Sequence, residues 1–448
     1  MSELLEGEKI PVEEIEKVLR GFEIFKIESY GCDETPKAIA PKPSNFIVVK
    51  PKSAEEVSKL LRIANEKKIP VFTRGGGTGL SAGAIPTKRG IVISTENLRS
   101  LEIDTRNKVA ICGAGVTLAE LSRAAEKHGL SFPPRPGDEN ATIGGMIATN
   151  AGGVRAMKYG VMRNYVLGIE AVLADGRIVK LGGKTLKNSS GYSLLHLLVG
   201  SEGTLAVITK AIIRLLPPMR EMSMLAIPFR SAENALNYVL ETTKIATPMA
   251  MEFMEKRAVE IGEEVSGKRW VSKEGDAHIL AIFERRDEAE ESSEIAFAND
   301  AIDVFVASPR EQRDLLELRS KIYHGLKDRA IEILDACVPP ASIAEFLRKS
   351  EKIAKRYGID VISYGHAGDG NIHQHPLIFE GWQRVYWKFR EEILKLAVEM
   401  DGAISGEHGI GEIKKKELRK FYPELCELME EIKRIFDPNG ILNPGKVL

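Results

Sequence analysis

With 448 residues, 43% hydrophobic and 28% charged, the chain exceeds one core and has the make-up of a globular protein of roughly two or three domains. A formal net charge of −1 offers no basic surface for nucleic acid, and no uninterrupted apolar run is long enough to cross a bilayer. Met1 to Val18 is charged and lacks the apolar core of a signal peptide, so a cytoplasmic protein is expected, with peripheral docking to a membrane-bound partner left open.

In chain order, Asn45 to Val49 reads as a strand, ended by Pro51. Ser53 with Glu56 has the pattern of a capping box, and Val57, Leu60, Leu61 and Ala64 give a helical stripe after it. Pro70 to Phe72 is a short strand, followed by the glycine loop Arg74 to Gly79. Ile91 to Ser94 and Val109 to Cys112 are further strands. Thr117 with Glu120 predicts a helix start, and Gly129 its stop. Val166 to Leu181 is a hairpin turning at Asp175-Gly176, and Val207 to Leu216 is a strand that Pro217-Pro218 ends. Beyond that boundary, helical stretches (Ser231 to Thr242, Arg286 to Asn299, Glu311 to Asp328) alternate with β-like ones (Ala277 to Phe283, Asp303 to Ala307). The pattern predicts an antiparallel sheet with helices packed on it, and helices near Tyr386 to Met400 and Pro423 to Phe436 close the chain. Cys32, Cys112, Cys337 and Cys426 include no CxxC pair, so neither a zinc ribbon nor an iron–sulfur cluster is indicated.

Three glycine clusters stand in the first half: Arg74 to Gly79, Pro136 through Gly144-Gly145 to Gly152-Gly153, and Gly191 with Gly200 to Thr204. Consecutive glycines let backbone N–H groups converge on an anion. The G-x-G-x-x-G spacing of a Rossmann site is absent, and so is the Gly-Lys-Ser/Thr of a P-loop. Taken together the clusters suggest backbone packed against a large flat ligand, and a flavin dinucleotide fits.

In the second half, His366, His373, His375 and His408 are four of the chain's eight histidines and fall in two short glycine-rich windows. Imidazole and carboxylate suit a catalytic divalent metal, zinc or alternatively manganese or iron. His366, His373 and Glu407 read as its ligands in loops, and His408 as a proton-transfer group beside them.

Taken in this order, Arg74 to Gly79, Ile143 to Gly153, Gly200 to Thr204, the His366 loop and Ser405 to Gly409 resemble the FAD-linked oxidases of the vanillyl-alcohol oxidase fold. Within it, the likeness is to the branch of D-lactate, glycolate and D-2-hydroxyglutarate dehydrogenases. The resemblance spans the chain from about Asn45 to Leu448 and implies an α+β protein. An FAD domain of two subdomains would cover residues 1–218, an antiparallel-sheet cap for substrate 219–400, and a segment returning to the flavin 401–448. It implies FAD contacts at Arg74, Gly75, Gly76, Gly77, Thr78, Gly79, Pro136, Gly137, Thr142, Gly144, Gly145, Asn150, Gly152, Gly153, Glu202, Gly203, Ile208 and Asn443. It implies a metal at His366, His373 and Glu407, a catalytic base at His408, and a substrate-carboxylate clamp at Arg319.

Two features bear on substrate. Ile333-Leu334-Asp335 stands where hydroxyglutarate enzymes carry a Lys-Tyr-Asp run, so the cation for a second carboxylate is missing. His375 stands where they have Asn. The expected reaction is oxidation of a D-2-hydroxy acid, D-lactate first, with hydride transfer to flavin. Electrons would then pass to an external acceptor: a quinone, a cytochrome, an electron-transfer flavoprotein or an iron–sulfur subunit. The alternatives are a glycolate dehydrogenase flavoprotein subunit, a D-2-hydroxyglutarate dehydrogenase and, from another reaction class, a flavin-dependent alkyl-glycerone-phosphate synthase.

Overall fold

The computed structural model describes residues 11–219 and 222–448; of the charged N-terminal stretch Met1 to Val18, residues 1–10 lie outside them. Three sheets organise the chain. The first contains β1 (Ile24–Phe25), β2 (Phe46–Val49), β3 (Val71–Arg74) and β4 (Gly90–Ser94) in the order β1-β2-β4-β3. β2, β4 and β3 are parallel. Parallel neighbours need a crossover, and the helix Ala54–Glu66 supplies one, capped by Ser53 and burying the expected Val57, Leu60, Leu61 and Ala64.

The second sheet is antiparallel: β5 (Leu101–Asp104), β6 (Val109–Gly113), β7 (Val166–Val172), β8 (Ile178–Gly182) and β9 (Val207–Arg214), in the order β5-β6-β9-β7-β8. β5 was not expected, since Leu-Glu-Ile-Asp is short and its side chains are half-buried or exposed. The helix Leu118–Lys127 carries the full Thr117/Glu120 capping box. Ile143–Thr149, expected as glycine loop, is a helix capped by Thr142 and ended by Asn150 in the left-handed conformation. Glycines weaken a helix in isolation, but this one packs so tightly that a Cβ on Gly144 would lie 2.7 Å from the Ala114 Cβ. Tertiary contact overrides local propensity here.

The third sheet is the antiparallel one expected after Pro217-Pro218. It contains β10 (Ser223–Phe229), β11 (Ala250–Glu255), β12 (Ala277–Phe283), β13 (Phe305–Val306), β14 (Leu334–Cys337), β15 (Val361–His366) and β16 (Asn371–Pro376). Their order is β13-β10-β12-β11-β15-β16-β14. One face packs on the helices Ala232–Ile245, Arg286–Ala298, Ile343–Tyr357 and Tyr386–Glu399. The other packs on Lys256–Ser266 and Pro309–Leu326.

After this sheet the chain runs back to the first two. The helix Pro423–Phe436 lays Ile432 and Phe436 on the core of the second sheet. Lys433 Nζ donates to the Thr204 carbonyl at 2.6 Å. Leu442 forms a parallel bridge to Val71, beside β3.

Candidate active site

Antiparallel alternation builds one wall of the site. Across the third sheet, Glu252 stands opposite His366, Tyr364 opposite His373, and His373 opposite Asp335. Side chains of directly opposed residues share a face, so these groups project to one side. His366 ends β15 and His373 lies within β16. Both were expected in loops; strands hold them because the glycine-rich run between them is only the hairpin turn. Glu407 and His408 do come from a loop, in the returning C-terminal segment.

Three imidazole Nε2 atoms converge on one carboxylate oxygen. Glu407 Oε1 lies 3.5 Å from His366 Nε2, 3.4 Å from His373 Nε2 and 3.6 Å from His408 Nε2. These separations are longer than good hydrogen bonds. Ligands about 2.0–2.2 Å from a common ion in a tetrahedron stand about 3.3–3.6 Å apart, so the spacing fits groups that share a cation. The ligand atoms of His366, His373 and Glu407 all lie within 4.8 Å of one another, as do those of Asp335, His373 and His408. The His408 ring stacks on His373, with centroids 5.1 Å apart and planes 10° from parallel.

Behind the imidazoles stand two buried carboxylates that sequence reasoning missed as site residues. Glu252 Oε1 lies 2.6 Å from His366 Nδ1, and Oε2 lies 2.6 Å from the Arg319 guanidinium. Glu252 was visible as the one charge within the apolar run Met249 to Met254. Arg319 also lies over the Tyr364 ring, 4.6 Å from its centroid. Asp335 Oδ2 accepts from the Glu407 and His408 amides at 3.1 and 2.8 Å and from Ser405 Oγ at 2.9 Å. Its Oδ1 accepts from Asn371 Nδ2 at 2.9 Å. Its partners are distant in sequence, so no local motif marks it.

The charges follow from this packing. Burial would lower His366, but Glu252 and Glu407 beside it raise it well above its ordinary value. Burial would raise Glu407, yet His366 and His373 hold it well below the carboxylate range. Burial would likewise raise Asp335, and His408, Lys414 and His373 hold it down. For His408 burial prevails over the pull of Asp335 and pushes the imidazole down to about 4. That ring is therefore neutral near pH 7, the form able to accept a proton.

A single cavity of about 970 Å³ joins this cluster to the glycine loops. Gly75, Gly76, Gly77, Thr78, Gly79, Pro136, Gly137, Thr142, Gly144, Gly145, Gly152, Gly153, Glu202, Gly203, Ile208 and Asn443 line it, as do Arg319, His366, His373, Glu407 and His408. No hydrogen bond among the described residues engages the amides of Gly76, Gly77 or Thr78. A row of open amides on a concave wall fits a dinucleotide's phosphates. Asn443 pins two of the loops, accepting from Thr73 N at 2.9 Å and donating to the Glu202 carbonyl at 2.6 Å.

Two of the expected flavin contacts do not line this cavity. Arg74 packs its guanidinium against Gly77, donates to the Cys32 carbonyl and lies over the Tyr30 ring. Asn150 ends a helix and accepts from the Arg163 amide. His375 also stays outside the cavity wall. It is buried and stacked on Tyr364 with centroids 5.0 Å apart, and neither ring nitrogen has a hydrogen-bond partner.

Comparison with known proteins shows the family. Residues 46–182 match the FAD binding domain family, and residues 219–447 match the FAD linked oxidases, C-terminal domain. The chain is 62% identical to a D-lactate dehydrogenase of Archaeoglobus fulgidus over 98% of this chain and 99% of that protein. It is 39% identical to a D-lactate dehydrogenase of Anaerostipes hadrus over 96% of this chain and 94% of that protein. Among solved structures, p-cresol methylhydroxylase with substrate bound superposes with a TM-score of 0.78, covering 98% of each chain at 15% identity, a likeness of fold alone.

Proposed function

The chain belongs to the FAD-linked oxidases, and on that footing we propose that it oxidises a D-2-hydroxy acid, D-lactate first, to the 2-oxo acid and passes the electrons to an external acceptor. The observation that carries this reading is the meeting of four features in one cavity: the glycine wall, the His366/His373/Glu407 cluster, neutral His408 and the Arg319 cation. The names of the two D-lactate dehydrogenases support the substrate and its configuration.

When bound, FAD on the glycine wall supplies a hydride acceptor, and a divalent ion held by His366, His373 and Glu407 supplies the Lewis acidity that makes a substrate hydroxyl easier to ionise. Arg319 binds the substrate carboxylate through charge-assisted hydrogen bonds and fixes which face of C2 is presented. Glu252 keeps that guanidinium in place by pairing with it at 2.6 Å. His408 Nε2 takes the hydroxyl proton as C2 loses its hydrogen with the bonding pair, leaving a carbonyl. The same oxygen set that steadies Glu407 steadies His408, because Asp335 accepts both backbone amides.

The test is an anaerobic titration of the purified, metal-replete protein with D-lactate and then L-lactate, following the oxidised flavin band. Bleaching by D-lactate but not by L-lactate is expected. A protein without a flavin band, or a band that no D-2-hydroxy acid bleaches, overturns the reading.

A further inference from the structure

Two carboxylates from different parts of the fold grip the loop that carries Glu407 and His408. Asp335, on β14 of the third sheet, accepts the Glu407 and His408 amides at 3.1 and 2.8 Å. Glu202, from the glycine cluster before β9, takes the amides just beyond: Ile410 N donates to Oε1 at 2.7 Å and Gly411 N to Oε2 at 2.8 Å. Gly409 turns the chain between the two grips with a φ of +80°, and a Cβ there would lie 2.9 Å from Glu202 Oε1. The Glu202 backbone is itself fixed to the glycine wall. Its N–H donates to the Ala148 carbonyl at 2.8 Å, in the helix Ile143–Thr149. Its carbonyl accepts from Asn443, which also pins Thr73 of β3. Ala148, Glu202, Gly203 and Asn443 all line the cavity.

Glu202 is held at a φ of +50°, in the left-handed region. Glycine or asparagine occupies that region at lower cost, so a glutamate there points to a task for its side chain. Resting on the reading above, we infer that Glu202 is a positioning residue that sets Glu407 and His408 through their loop and couples FAD binding to metal binding. The wall on which FAD sits is the backbone that fixes Glu202. Glu202 in turn holds Ile410 and Gly411, and with them the loop position at which Glu407 faces His366 and His373. A metal held by Glu407 orders the same loop from its other end. Ser81, two residues beyond Gly79, adds a tie on the FAD side: its Oγ donates to the His408 carbonyl at 2.9 Å, and its carbonyl accepts from the Glu412 amide at 2.9 Å. Each ligand therefore meets a loop already ordered by the other, which lowers the entropic cost of its own binding. Linkage makes the effect reciprocal.

The experiment measures Zn²⁺ affinity, by competition with a chromophoric chelator, in the full chain loaded with FAD and stripped of it. Binding about tenfold tighter with FAD is expected. Glu202→Asn suits the left-handed backbone, but its shorter side chain withdraws from the two amides. It is expected to retain FAD and to bring the ratio of the two affinities to about one. Glu202→Gln keeps a single acceptor and is expected to leave a ratio of about three. A residue that only stabilised the fold would lower the unfolding midpoint and leave the ratio at its wild-type value. Where the stripped protein loses cooperative unfolding, the reciprocal measurement replaces it: FAD affinity with Zn²⁺ and with chelator, expected to change by the same factor. A wild-type ratio of one, or an undiminished ratio in whichever variant folds, overturns the inference and leaves the proposed reaction standing. Zn²⁺ bound in neither state overturns the proposed metal site itself.

Discussion

Asp335 holds His408 at two points: Oδ2 accepts the His408 backbone amide at 2.8 Å and stands 3.7 Å from the Nδ1 of its ring. Oδ1 stands 3.6 Å from His373 Nδ1. One fully buried carboxylate thus backs two imidazoles whose Nε2 atoms face Glu407, and it also carries the Glu407 amide. Groups behind metal-ligating imidazoles orient them and raise their basicity. Asp335→Asn keeps an acceptor of the same shape but removes the charge. It is expected to weaken divalent-metal affinity by about 10–100-fold with FAD retained, as measured by competition with a chromophoric chelator. Unchanged metal affinity would reduce Asp335 to a scaffold for the loop.

Glu252 joins the metal-ligand candidate His366 to Arg319, the cation proposed for the substrate carboxylate. Removing its charge leaves the Arg319 guanidinium, whose side chain is 13% exposed, without its anion. Breaking one side of a buried pair costs about 3–5 kcal/mol. Glu252→Gln is therefore expected to lower the thermal midpoint and, in the protein that remains folded, to weaken substrate binding more than it slows flavin reduction at saturation. Single-turnover reduction at varied substrate concentration separates the two. A slowed limiting rate with unchanged substrate affinity would contradict the shared-anchor role.

His408 is proposed as the general base because its ring is buried and neutral and its Nε2 faces the cluster. General bases contribute about 10²–10⁴-fold. His408→Ala is expected to slow flavin reduction by that order while the flavin absorbance spectrum stays intact. Reduction at the wild-type rate would remove the assignment.

His278 lies away from the cavity, buried in β12, and its Nδ1 accepts from Trp270 Nε1 at 3.0 Å. Burial first, then Lys256, pushes its imidazole down to about 4 from 6.5. A depressed histidine contributes stability that is present above its unfolded value and is lost as pH falls through the folded one. Between pH 6.5 and about 4, this group alone is expected to cost about 3 kcal/mol of unfolding free energy. Urea unfolding of the wild type and of His278→Gln across that window gives the comparison. The variant should lose less stability on acidification than the wild type, and equal slopes would assign the loss to carboxylates instead.

Much of the architecture was legible from local signals. Capping pairs such as Thr117 with Glu120 and the prolines at 217 and 218 fixed element ends, because caps and breakers act over a single turn. The strand Ala277–Phe283 and the helix Pro423–Phe436 fall where their patterns put them. The helix Ile143–Thr149 was illegible, since its glycines make sense only against Ala114. His366 and His373 could be singled out as candidate ligands by residue type, but a glycine-rich context concealed the strands that carry them.

The sequence by itself determined which groups are on offer: glycine runs that suit a dinucleotide, imidazoles and a carboxylate of the kinds able to ligate a metal, and the order in which they occur. Residue type and spacing encode that directly. Only the tertiary structure decided that Glu252 and Asp335 stand behind those imidazoles and that Arg74 and Asn150 lie outside the cavity wall. Those relations join strands far apart along the chain, and side-chain direction on them is set by pairing register across the sheet, which no single stretch of sequence contains.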